Sequence, residues 1–214
     1  NLSHFSYLAV NDAQNIKFRF HLQSEAGKEN SSINTLWTIN LDTISKMIPG
    51  NFVNHTNNEN EILIQDEKNT IYLINAKGGI EWKRKLDEKI VSEFKKVDAL
   101  KNGKFQILFN TENYLHLIDR NGNYLKGYPV KLPSRATSGL NLFDYENDKD
   151  YRILIPCQNN LIYNFNILGG FHEGFTNVVT EKNVHLPIQY VKVGLSDYLV
   201  AVDQEGKIYT FSRK

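Results

Sequence analysis

Cysteine is nearly absent. With only Cys157 in 214 residues, no disulfide can form within the chain and no zinc site can be built from cysteines. That residue follows the run Tyr-Arg-Ile-Leu-Ile-Pro at 151–156, so it reads as a small buried apolar side chain rather than a reactive thiol. No run of eighteen apolar residues occurs, and the amino terminus lacks a charged-then-apolar leader. The expectation is a segment with no uncleaved signal and no direct membrane insertion. Neither sign of charge dominates. The 25 basic and 24 acidic residues leave a net charge of +1, so no bulk field draws in nucleic acid or an acidic membrane. Catalytic signatures are missing too: there is no Gly-x-Ser-x-Gly, no P-loop and no Cys/His pattern. The six histidines, at 4, 21, 55, 116, 172 and 185, show none of the short spacings that bring two imidazoles onto one metal.

What is present is a repeat. The stretch 69–86, NTIYLINAKGGIEWKRKL, runs from a β-branched and aromatic strand through Asn75 and Gly78 to an outer strand carrying Trp82. In NYLHLIDRNGNYL the positions of Asn75 and Gly78 are taken by Asp119 and Gly122, 44 residues on. LIYNFNILGGF repeats them as Asn166 and Gly169, a further 47 along, and GKIYTFSRK repeats the strand with Ile208 and Phe211. A glycine three residues after Asn or Asp supplies the positive φ of a short hairpin loop, and the Asx side chain bonds forward onto the turn backbone. One such turn occurs in any β protein. Copies at near-constant spacing, made only of short strands, fit the roughly 40–50 residues of one β-propeller blade.

Taken in order, 5–10 and 16–22 read as a hairpin, with Ile16, Phe18 and Phe20 on one face, and 24–34 as an extended loop. LWTINL at 36–41 reads as the outer strand of a first blade, since Trp37 precedes Trp82 by 45 residues. Residues 43–50 read as an irregular or short helical turn. Residues 90–100 admit a short helix by the spacing of Ile90, Phe94 and Val97, but the repeat register makes Phe94 to Leu100 a strand. Pro129 and Pro133 assign GYPVKLPS to an edge strand or loop. The units expected are 1–42, 51–87, 94–132, 140–177 and 186–214 within one domain. The fold class is all-β: a β-propeller of about five blade-like repeats of four antiparallel strands, or an incomplete arc of a larger one. The expected strands number eighteen, two short of five full blades, which favours a segment of a longer protein.

The unit NTIYLINAKGGIEWKRKL resembles the repeats of quinoprotein-like (PQQ-like) and FG-GAP-like propellers, where a strand ends in Asp or Asn, a Gly turn follows and a Trp begins the outer strand. The third and fourth copies lack the Trp and have Leu125, and Phe171 or His172, nearby. The chain as a whole resembles the carboxy-terminal propeller region of large envelope-associated proteins of Bacteroidetes. These resemblances imply a propeller fold and a bacterial periplasmic or envelope location.

Among candidate sites, Asp144, Glu146, Asp148 and Asp150 alternate along one loop, as oxygen ligands of calcium do, and calcium loops of this form occur in FG-GAP-type repeats. Against calcium, Lys149 stands where a bend-permitting Gly is normal, and Ile155 stands where a bidentate acid belongs. The competing reading is a solvated inter-strand turn. Trp37 and Trp82 could stack sugars, but their place in the repeat favours packing between blades. Lys83, Arg84 and Lys85 read as a charged edge that discourages sheet-to-sheet aggregation. No quinone clamp is recognisable, so no cofactor is expected. The reading is a non-catalytic binding module of a larger envelope protein, with a protein or glycan partner engaged through loops and central face. An enzyme domain with an axial small-molecule or metal site, and a structural spacer, are the alternatives.

Overall fold

The computed structural model of the protein describes residues 2–12, 15–24, 35–173, 177–193 and 196–212, in which there are seventeen strands and no helix. The chain divides into two compact units, Asn1–Asp87 and Glu88–Lys214.

In the first unit, β1 (Leu2–Asp12) and β2 (Asn15–Ser24) form the expected antiparallel hairpin, longer than its apolar runs, with Asp12 opposite Asn15. The loop expected over 24–34 lies, apart from Ser24, outside the described residues. The strand expected at 36–41 is not formed as such: only Ile39 makes a β-bridge. Its alternating side chains explain the misreading. Trp37, Ile39 and Leu41 pack on Ile64, Tyr72 and Ile74, so the period of two is satisfied by burial without a continuous ladder. Residues 43–49 are irregular rather than helical. Sheet I follows, with β3 (Gly50–Val53), β4 (Asn60–Gln65), β5 (Thr70–Ile74) and β6 (Ile80–Lys85) paired antiparallel in chain order.

The second unit holds two more four-stranded sheets of the same plan and one of three strands. Sheet II comprises β7 (Lys95–Val97), β8 (Gln106–Asn110), β9 (Tyr114–Ile118) and β10 (Val130–Lys131). Sheet III comprises β11 (Asn141–Phe143), β12 (Arg152–Pro156), β13 (Leu161–Phe165) and β14 (Val178–Val179). Sheet IV comprises β15 (Gln189–Val193), β16 (Ser196–Val202) and β17 (Ile208–Ser212). The segment 94–100 contributes only the three residues of β7, because Asp98 leaves the strand to close a turn on the N–H groups of Asn102 and Gly103 at 2.9 Å. The proline-flanked segment is an edge strand of two residues, as its prolines require.

In sheets I to III the central strands are buried on both faces, which is why the repeat reads there as continuous apolar runs rather than alternation. In sheet III the odd-numbered Tyr163 and Phe165 join Ile153 and Ile155 in a core shared with Leu108, Leu115 and Leu117 of sheet II. Leu154 and Ile162 point the other way and meet Ile188 together with Leu199 and Ala201 of sheet IV. Successive sheets of this unit are thus stacked face to face. Each buried Leu or Ile contributes about 1.5–3 kcal/mol relative to exposure.

Candidate interaction surface

Two kinds of turn close sheets I to III, at opposite ends. The turn after the third strand is the one the sequence announces. Asn75 Oδ1 accepts the N–H of Lys77 at 3.0 Å and of Gly79 at 2.9 Å. Asp119 and Asn166 repeat the arrangement on Asn121 and Asn123 and on Leu168 and Gly170. Gly78, Gly122 and Gly169 take φ values of +83°, +80° and +86°, where a Cβ is strained. Aromatic side chains from the preceding segment hold these turns down. Trp37 Nε1 donates to the carbonyl of Ala76 at 3.0 Å, and the hydroxyl of Tyr128 donates to that of Ile167 at 3.0 Å. Ala76 and Ile167 each follow the Asx residue of their turn, so two different aromatics perform one task. Trp37 is therefore a packing residue.

The turn between the second and third strands carries a feature that no single sequence motif announces. Asp66 Oδ1 accepts the N–H groups of Lys68 and Thr70 at 2.9 and 2.8 Å, and its Oδ2 accepts the hydroxyl hydrogen of Tyr72 at 2.9 Å. Tyr72 in turn accepts the N–H of Asp42 at 3.2 Å. Asp203 repeats this with Glu205, Lys207 and Tyr209, and Tyr209 accepts the N–H of Glu181 at 2.8 Å. In sheet II the pair becomes Thr111 and His116, with Thr111 Oγ1 and His116 Nε2 3.3 Å apart. His116 also meets the Tyr124 hydroxyl at 2.8 Å through Nδ1 and lies flat on Phe109, ring centroids 4.8 Å apart. In sheet III the acid is replaced by Cys157, and Tyr163 takes a hydrogen bond from Asn159 at 2.7 Å instead. The spacing of six from Asp66 to Tyr72 and from Asp203 to Tyr209 was the available signal.

Burial pushes the Cys157 thiol up to about 12, so it is protonated and unreactive at neutral pH. Burial also pushes the Glu88 carboxyl up, but hydrogen bonds from Thr111 and Asn113 outweigh it and hold the group below the usual carboxylate range. Asp203 behaves likewise, with Tyr209 and the turn N–H groups offsetting its burial.

At this end of the second unit the connectors between sheets run past these turns, with β-bridges pairing Ile90 with Thr111, Ala136 with Cys157 and Val184 with Asp203. Immediately beyond the first and last bridges stand Val91, 38% exposed, and Leu186, 57% exposed. Ion pairs flank them, Arg135 with Glu112 and Lys182 with Glu205, the latter at 3.2 Å. His185 sits between the carbonyl of Thr137 and Gln204, at 3.1 and 3.3 Å. The result is a braced end whose exposed tips mix apolar and charged groups.

The sequence-predicted carboxylates lie at the opposite end, in the turn from β11 to β12. Asp144 accepts the N–H groups of Asp148 and Lys149, Asp148 accepts that of Asp150, and Asp150 meets Arg152 at 3.3 Å. Glu146 is exposed. Lys149 reaches away to the buried Asp98 of sheet II. Among the described residues no group of three or more His, Cys, Asp or Glu side chains is arranged to hold a metal ion. Of the basic run, Lys83 pairs with Asp42 at 2.7 Å and Lys85 reaches the carbonyl of Lys68. The side chains of His4 and His21 lie outside the described residues.

No family model matches the sequence, and no curated protein matches it. Solved structures do. The chain is similar to BBS1N in complex with ARL6DN, with a TM-score of 0.62 and 12% identity over 98% of this chain and 61% of that one. BamB from Moraxella catarrhalis gives 0.58 and 12% over 99% and 61%. Sqt1 of Saccharomyces cerevisiae gives 0.63 and 17% over 92% and 53%. The chain therefore spans less than two thirds of the length of each. Four-stranded antiparallel sheets in sequence order and these neighbours define the class: an all-β propeller fold.

Proposed function

We propose that this chain is a non-catalytic interaction module of a larger bacterial envelope protein, engaging a protein or glycan partner through its loops. The observation that carries the reading is the braced end of the second unit. Buried latches there fix the turn backbones and leave Val91, Leu186 and the flanking ion pairs as rigid, solvent-facing tips. Loops positioned by a rigid scaffold are where binding specificity resides. The groups a catalytic reading would draw on, His116, Tyr72 and Tyr209, are already engaged in the latches. That BBS1N is a propeller solved with a protein bound to it supports the reading by analogy of fold.

The test is crosslinking mass spectrometry of the chain in a bacterial envelope fraction, beside a Val91→Asp/Leu186→Asp variant. A partner crosslinked through the 88–93 or 181–187 connectors and lost in the variant is the expected result. A partner that binds both proteins equally, or none, overturns this surface.

A further inference from the structure

Within a repeat protein, the sites where one copy departs from its siblings show where folding alone does not dictate the residue. Sheet III departs at three positions of one face. Asn164, opposite Leu154, occupies the place of Leu73 opposite Leu63 and of Leu117 opposite Leu108. Arg152, opposite Phe143, replaces Glu61 opposite Phe52 and Gln106 opposite Val97. His172, whose N–H donates to the carbonyl of Asn164, stands where Leu125 donates to Leu117. Two apolar positions have become polar in this sheet, and a third, acidic or neutral in its siblings, has become basic.

These side chains act together. Asn164 shares the face of Ile162 and Leu154, which is turned toward sheet IV. The Arg152 guanidinium on β12 contacts His172 Nδ1 beyond β13, so it must cross the face of β13 on which Asn164 stands. Asn164 is 3% exposed, and its Oδ1 has no hydrogen-bond partner; the Nε of Arg152 is likewise buried and unpaired. Burying an acceptor and a donor without partners carries a desolvation cost that folding alone does not repay. The Arg152–His172 roof can open. His172 Nδ1 faces both the Arg152 N–H and the carbonyl of Glu173 at 2.9 Å, and a single ring nitrogen cannot accept from one and donate to the other.

We infer that this seam between sheets III and IV is a binding site for a neutral saccharide, centred on Asn164 and Arg152. The charge of Arg152 is already matched by Asp150 at 3.3 Å, which disfavours an anion. A hydroxyl donates to Asn164 Oδ1 while accepting from Arg152 Nε, meeting both unmet groups. Phe143 and Tyr145 stack at 5.5 Å, and Tyr190, 39% exposed, lies 5.3 Å from Tyr145. They offer the apolar wall that the C–H face of a sugar ring requires. The site rests on the reading of the chain as a binding module but uses none of the loop tips assigned to it.

The siblings supply the test. Asn164→Leu and Arg152→Gln each install a residue that another copy of the repeat carries, so both variants are expected to fold, the first with an equal or higher Tm. Calorimetric titration of the 214-residue chain with lactose, cellobiose and N,N′-diacetylchitobiose should give saturable binding of at least one. Each variant should weaken it by tenfold or more. A Val91→Asp/Leu186→Asp protein should bind the same sugar unchanged. Absence of saturable binding to all three, or undiminished binding by folded Asn164→Leu, overturns the site. If Asn164→Leu is more stable and no sugar binds, the two unmet atoms hold an ordered water only. Loss of sugar binding in the loop-tip variant would instead place the saccharide on the loop end and overturn the seam.

Discussion

Asp66 Oδ2 accepts the hydroxyl hydrogen of the wholly buried Tyr72 at 2.9 Å, and the same relation recurs between Asp203 and Tyr209. The pair joins a turn to a strand, and through the N–H of Asp42 or Glu181 it also ties in the incoming connector. Removing the hydroxyl orphans a buried acid oxygen and takes the partner from the part-buried N–H of Asp42. Tyr72→Phe should therefore destabilise by about 1–3 kcal/mol with its ring packing retained. A urea melt followed by circular dichroism reads this, and a variant as stable as wild type would show that the latch contributes nothing.

Gly169 combines a φ of +86° with a position where an added Cβ would lie 2.5 Å from Val130 Cγ2. Gly169→Ala should cost about 1–3 kcal/mol from backbone strain together with the clash. In the Val130→Ala background the clash disappears and the strain remains, so the glycine substitution should cost less there. Thermal melts of the four proteins of this cycle give the coupling, and strict additivity would remove Val130 from the account.

Burial raises the Asp98 carboxyl, but the Lys149 ammonium and the N–H groups of Gly103 and Asn102 prevail and hold it below its ordinary value. A carboxylate depressed in the folded state stabilises above its unfolded pKa of about 3.9, and that contribution is lost as pH falls through the lower folded value. Tm should accordingly be flat above about pH 5 with respect to this group and fall below about pH 4. Asp98→Asn should lower Tm at neutral pH and flatten the acid limb. An unchanged acid limb in the variant would assign that limb to other carboxylates.

Cys157, buried and with its thiol raised by desolvation, should resist Ellman's reagent in the folded protein and react stoichiometrically once urea unfolds sheet III. Rapid labelling without denaturant would contradict its burial.

Much of this was written in the sequence because it depends on near neighbours. A glycine three places after Asn75, Asp119 or Asn166 dictates its turn through local sterics, and the spacing of such turns dictates a repeat of four short strands. The apolar runs around Tyr72, Leu117 and Ile155 announce strands buried on both faces for the same reason. Where local pattern misled, it did so because alternation records burial and not ladder pairing, as at Trp37, Ile39 and Leu41. The tertiary structure alone decided which side chains meet: that Asp66 reaches Tyr72, that His116 takes the tyrosine's place, and that Arg152 on β12 reaches His172 beyond β13. Those contacts join positions on different strands and connectors. Which face each side chain presents, and what it finds there, is fixed only when the sheets stack.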